Sequence, residues 1–270
     1  MKKKILITVK TYPTIYVDQA DEIVCTVGID EDGNLIRIFP IPFRKLYFDQ
    51  KYTKYQWVEM DLVKNSKDFR PESYKPRDIE NLNFIKILNK IDTKNNWQIR
   101  KDIVLKNVCF DIAKLTEEAK SDKKYTSLAV FKPTEIIDFK ITPAMREWNN
   151  KQKAALLQQN IFENKNSTEI VKKLPYKFSY VFKDINGKKC TLMNEDWELG
   201  ALYWKCLKKY NEDEEAACSD VKKKYWDDFA LTKDLYFFLG TTKKHHFARN
   251  PFIIIGTFHP KKEPQFRLDF

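Results

Sequence analysis

The 270-residue chain contains only 6 glycines, and that scarcity removes a class of folds. A doubly wound nucleotide-binding sheet relies on glycine-rich turns where the backbone meets phosphate. In agreement, the sequence has no G-x-x-x-x-G-K-[ST], no G-x-G-x-x-G and no G-x-S-x-G. NTPase, dehydrogenase and α/β-hydrolase readings thereby lose their basis. Histidine is rarer still, with 3 residues: His245, His246 and His259. No H-E-x-x-H or Cys/His spacing occurs, so no metal site and no cofactor is expected. The 5 cysteines (Cys25, Cys109, Cys190, Cys206 and Cys218) are odd in number and form no C-x-x-C pair. This pattern fits reduced thiols rather than a disulfide framework. Cys25 and Cys190 sit in strand-like runs and read as small core residues. After Met1-Lys2-Lys3-Lys4 the apolar run is only about five residues, too short for a signal segment or a membrane span. A soluble, cytoplasmic protein with no membrane partner is expected.

What is abundant is positive charge and aromatic surface. The net charge is +11, and 14% of the residues are aromatic. Excess positive charge raises the local concentration of polyanions and speeds encounter with them. The competing explanation is a lysine-rich solvated surface with no partner. The hydrophobic content of 43% is ample for a core, and the length suits one large or two small domains.

The most informative stretch is Glu22 to Arg44. Asp32-Gly33 separates two β-rich segments, Ile23 to Ile29 and Leu35 to Phe39, which is a strong local hairpin signal. The pattern T-V-G-I-D-x-D-G-x-L-I-R (Thr26 to Arg37) resembles little-characterised bacterial proteins with a dual OB-type domain. Leu6 to Pro13 and Tyr55 to Glu59 extend the likeness over the first eighty or so residues. Val27 and Leu35 replace the usual Ala and Trp of that hairpin. The resemblance implies small oligonucleotide-binding barrels and an association with phage defence or mobile elements. It implies no specific reaction.

The first half reads as mostly β, with strands at Ile5 to Val9, Tyr55 to Val63, Phe84 to Leu88 and Ile136 to Ile141. Lys64 to Arg77, with Pro71 and Pro76, reads as a loop. Thr142-Pro143 is a helix-start pair, predicting a helix to about Phe162. A shorter one reaches Leu174. The β pattern restarts at Tyr176 to Phe182, turns at Asn186-Gly187 and resumes at Cys190 to Met193. A helix from Asn194 presents Leu199, Leu202, Tyr203, Cys206 and Tyr210 on one face. A second spans Glu212 to Phe229, and strands follow at Leu235 to Leu239 and Phe252 to Phe258. The expected architecture is α+β and β-rich, with two OB-like small barrels or sheets joined by helices. The domains are residues 1–141, a helical connector 142–174, and an α+β domain 175–270. One continuous α+β domain is the alternative.

Three groups of residues carry possible chemistry. Arg37, Arg44, Arg70, Lys75 and Arg77 interleave with Tyr52, Tyr55, Trp57 and Tyr74, a composition suited to single strands held by cations and stacked rings. Against this, one face of the Trp57 strand must be buried. Asn194-Glu195-Asp196-Trp197-Glu198 concentrates carboxylates that could activate water, with Asp234 as a third candidate. The competing role for Asp196 and Glu198 is helix capping, with Asn194 as the cap. The loop Gly240 to Asn250 offers Lys243, Lys244, His245 and Arg249 for phosphate contacts, or it is a solvated hairpin tip. Adjacent His245 and His246 point apart in an extended chain, which disfavours a two-His metal site there. The favoured reading is a nucleic-acid-binding protein, with DNA favoured over RNA. The alternatives are an enzyme on DNA (a base-excising glycosylase or a metal-dependent nuclease) and a protein-interaction adaptor. Oligomeric state is not encoded in any motif.

Overall fold

The computed structural model describes residues 1–16, 21–79, 84–154 and 171–263. The N-terminal part is a closed five-stranded barrel. It uses β1 (Lys2–Lys10), β3 (Asp21–Asp30), β4 (Leu35–Ile41), β5 (Gln56–Lys64) and β6 (Ser73–Pro76). The order is β1-β3-β4-β6-β5, and β5 pairs back onto β1 to close it. All these pairings are antiparallel except β4 with β6, where Arg37 faces Ser73. This topology is consistent with an OB-like barrel. The short β2 (Thr14–Tyr16) pairs with β3, and β7 (Ile85–Lys90) with β5.

The expected hairpin forms as read. Asp30 accepts the Asn34 N–H at 2.8 Å, and Gly33 turns the chain at φ +87°, a conformation that costs glycine little. Gly28 answers a different need. A Cβ there would lie 2.4 Å from Ile5 Cγ2 and 2.6 Å from the Leu6 carbonyl, so only glycine lets β3 lie this close to β1. Ile5, Ile7, Ile36, Ile38, Val58, Met60 and Leu62 fill the interior. A bulge between Ile7 and Val9 breaks the alternation. Val9 therefore leaves the interior and joins a separate cluster with Val27, Ile29, Val130, Phe238 and Ile255. That cluster cements the barrel to the second half.

Among the described residues, the second half has two sheets. One is β10 (Glu135–Pro143), β11 (Tyr176–Lys183) and β12 (Lys189–Met193). The other is β14 (Phe252–Phe258), β13 (Tyr236–Thr241), β9 (Leu128–Phe131) and β8 (Val108–Cys109), in that order. Around them run α1 (Lys94–Val104), α2 (Ile112–Lys120), α3 (Trp197–Lys209) and α4 (Glu214–Lys222), and α4 continues as a π-helix, Lys223–Ala230. The core between sheets and helices is aromatic: Phe139, Phe178, Tyr180, Phe182, Tyr203, Tyr225 and Phe237.

Several local expectations need correction. Thr142 and Pro143 end strand β10 instead of starting a helix, because they pair with Lys177 and Tyr176. Residues 150–154 are helical, while the rest of the expected connector helix and the shorter one before Leu174 fall largely outside the described residues. The Lys64 to Arg77 loop contains β6, whose parallel pairing with β4 no local pattern reveals. The cap of α3 is Asp196, which accepts the Glu198 N–H at 3.0 Å. Asn194 instead accepts the N–H of Asp196 at 3.0 Å. The single helix expected over Glu212 to Phe229 is an α-helix that widens into a π-helix at Lys223.

Candidate functional site

The two halves meet around a buried ion cluster. Lys54, in the turn just before β5, sends its ammonium across the seam to α3. Its Nζ donates to both Asp196 oxygens at 2.6 and 2.8 Å and to Glu198 Oε2 at 3.0 Å. The Lys54 side chain is 5% exposed, Asp196 is fully buried and Glu198 is 57% exposed. Burial disfavours the charge on Lys54, but attraction to Asp196 and then Glu198 outweighs it and raises the ammonium pKa. Burial likewise raises Glu198, and the Lys54 charge and hydrogen bond reverse this, leaving it an anion below the usual range. Burial and the Lys54 charge bring the nearby Lys10 down to about 8. Its Nζ sits 4.2 Å from the Phe43 ring centre and 5.2 Å from that of Trp197.

Docking of the barrel on α3 buries Asp196 and the Lys54 ammonium. Tyr12 packs against Gly200, where a Cβ would come within 2.2 Å of its ring. Its hydroxyl accepts from Trp204 Nε1 at 2.7 Å and donates to the Lys172 carbonyl at 2.7 Å. On the solvent side of α3, Glu198 forms one wall of a cavity of about 480 Å³ between α3 and the π-helix, floored by Leu202, Tyr225 and Phe229. π-Helices often occur at functional sites. The carboxylate candidates thus divide. Asp196 is spent on Lys54 and the helix cap, whereas Glu198 faces a cavity. Asp234 belongs to neither, being bonded to Lys132 and to the Tyr236 hydroxyl elsewhere. Among the described residues, no three His, Cys, Asp or Glu side chains converge to hold a metal ion.

The cation candidates also divide. Arg37 and Arg70, read from sequence as phosphate contacts, are 3% and 6% exposed. Arg37 donates to the Ser127 hydroxyl at 2.6 Å and to the Ser127 and Thr241 carbonyls at 3.0 and 3.3 Å. Arg70 is held by Asp68 at 2.6 and 2.8 Å. Their charges staple the seam, so these two residues leave the phosphate-contact set. Arg77 is exposed and paired with Asp61, while Arg44 is exposed beside the barrel. Trp57 and Tyr74 are half-buried, each with a lysine over the ring: Lys4 at 5.2 Å and Lys64 at 4.1 Å. Lys75 lies beside Tyr74, half-buried in β6.

The loop after β13 presents Lys243, Lys244, His245 and Arg249 to solvent. Its base is fixed from below. His246 is fully buried, donates from Nε2 to the Ala119 carbonyl at 2.7 Å and accepts the Thr241 hydroxyl at Nδ1, 2.8 Å. Above it, Phe247 stacks on Phe69 with centres 5.3 Å apart and planes 15° apart, and Tyr125 closes edge-on at 5.6 Å from Phe69. Phe69 and Phe247 are 42% and 57% exposed. Lys243 donates to the Lys67 carbonyl, which joins the loop to the Phe69 segment. Sequence reading missed Lys54, Phe69, Tyr125 and Phe247. Lys54 and Tyr125 carry no local signal, but Phe247 and Phe69 each stand among polar and basic neighbours.

A family model described as "Domain of unknown function (DUF8757)" matches residues 110–269, more than half of the chain. The chain belongs to this family. A second, "Domain of unknown function (DUF8758)", matches residues 1–106, which hold the barrel. The two together make a two-domain protein. No curated protein matches it. Among the described residues, no helix is long and apolar enough to cross a membrane.

Proposed function

We propose that the protein binds nucleic acid, with DNA as the preferred target, along the face built by Phe69, Tyr125 and the loop of residues 242–250. The observation that carries this is the pair of stacked, solvent-exposed phenyl rings set among Lys243, Lys244, His245 and Arg249. Exposed rings beside exposed cations are what single strands use, since bases stack on the rings and phosphates meet the cations. An OB-like barrel next to that face agrees with this reading. The resemblance to defence-associated dual OB-type proteins favours phage or mobile-element DNA as the target and a cytoplasmic setting.

The test is fluorescence anisotropy with labelled single-stranded DNA, duplex DNA and RNA over stepped salt. Affinity should fall by orders of magnitude between about 50 and 200 mM salt if several phosphates are neutralised. Phe69→Ala and Phe247→Ala should each weaken binding by about 1–3 kcal/mol. Absence of binding to all three ligands at low salt would refute the proposal.

A second reading, a base-excising enzyme, is favoured by one observation: Glu198 is held anionic at the mouth of an aromatic-floored cavity. In such a reaction a carboxylate activates water against a flipped-out nucleoside. Glu198→Gln would then abolish formation of alkali-labile sites in phage DNA while leaving binding intact.

A further inference from the structure

We propose that a second, basic cleft between α2, β12 and the end of the loop receives a nucleotide through its phosphomonoester. The cleft has a volume of about 320 Å³, and Lys188, Lys189, Thr191, Arg249, Asn250 and Phe252 are among its walls. This lies at the small end of the range for small-molecule sites and suits one nucleotide.

Three features point to phosphate. Among the described residues, no Asp or Glu lines the cleft. Lys188, Lys189 and Arg249 are exposed and make no ion pair with a described residue, unlike many lysines of this chain. Two carboxylates on the turns beside the cleft, Asp184 and Asp111, are engaged in local hydrogen bonds. Asp184 accepts the N–H groups of Ile112, Asn186 and Lys188, and Asp111 accepts those of Ala113 and Lys114 and the Asn186 amide. These bonds also fix the backbone of the turn at Gly187, φ +74°, from which the two lysines project. Three cationic residues line this one cleft, more than one phosphodiester charge requires. They match a phosphomonoester, which carries up to two charges near neutral pH. Ile112, Leu192 and Phe252 in the cleft wall are only 6, 7 and 2% exposed, so the phosphate and not the base carries recognition.

The inference deepens the nucleic-acid reading, since Arg249 belongs to both the cleft and the proposed face. The ligand is either a free mononucleotide or the phosphorylated end of a strand. Calorimetry on the full chain would compare a deoxynucleoside 5′-monophosphate with its nucleoside. Anisotropy would compare a short single strand with and without a terminal phosphate. The monophosphate should bind at least about tenfold tighter than the nucleoside. The double variant Lys188→Ala/Lys189→Ala and the single variant Arg249→Ala should each remove that gain, and Lys205→Ala/Lys208→Ala, on the exposed face of α3, should not. These side chains are exposed, and circular dichroism would verify folding. A gain seen with both ligands assigns the cleft to strand ends, and a gain seen only with the mononucleotide assigns it to free nucleotides. No phosphate gain, or a gain untouched by the cleft variants, overturns the inference. If strands bind without a phosphate gain, the cleft fails and the broader reading stands. If strands do not bind but the mononucleotide gain persists, the broader reading fails and the cleft stands.

Discussion

Replacing Lys54 by Met tests the view that the seam depends on a buried charge cluster. Met keeps most of the side-chain volume and removes the ammonium. Asp196 then stays fully buried with its two close charge-assisted bonds gone, at 2.6 and 2.8 Å in the intact protein. Breaking a buried pair on one side costs about 3–5 kcal/mol, mostly the penalty of the stranded charge. That is a large fraction of a typical total stability of about 5–15 kcal/mol. Urea unfolding followed by tryptophan fluorescence would measure it, since Trp97, Trp197 and Trp204 all lie near the seam. The double variant Lys54→Met/Asp196→Asn removes both charges, and the Asn carbonyl can still cap the Glu198 N–H. It should recover most of the loss, to within about 1–2 kcal/mol of the parent. The coupling energy between the sites should then be at least about 1 kcal/mol. A Lys54→Met cost below about 1 kcal/mol would refute the reasoning, because a cost that small belongs to a solvated surface pair.

Gly200→Ala pushes a methyl into the Tyr12 ring and should cost about 1–3 kcal/mol by urea unfolding, with Tyr12→Ala largely abolishing that penalty. Asp68 is disfavoured as an anion by burial but drawn down to about 2 by Arg70, so the folded state holds its proton more weakly than the unfolded chain. Its stabilisation, roughly 2 kcal/mol, is present above about pH 4 and is lost as pH falls toward 2; Asp68→Asn should flatten the acid limb of the stability profile there. Lys10, lowered to about 8 by burial and the Lys54 charge, should acylate with a midpoint near that pH by mass spectrometry. Glu198→Gln should move the midpoint lower, since Glu198 favours the protonated amine. An unperturbed midpoint near 10.5 would place Lys10 in open solvent.

Much of this protein is determined locally and could be read from the chain. Alternation along Gln56–Lys64, the turns at Gly33 and Gly187, and the apolar face of Trp197–Lys209 report backbone geometry that depends on near neighbours. The closed barrel was legible as a class for the same reason. Which charges are functional was decided only by the tertiary structure. Arg37 and Arg70 look like surface cations in sequence. They are interior because Ser127 and Thr241, 90 and 204 residues beyond Arg37, supply acceptors in a seam between two halves. Lys54 carries no motif, yet a bond to a residue 142 positions away makes it the centre of the ion cluster. Asp196 and Glu198 are two residues apart and look equivalent. The packing of Tyr12 on Gly200 seals one in the seam and leaves the other facing a cavity. Burial and charge pairing depend on residues far apart in the chain, so local pattern fixes the elements and tertiary packing selects which side chains remain free to act.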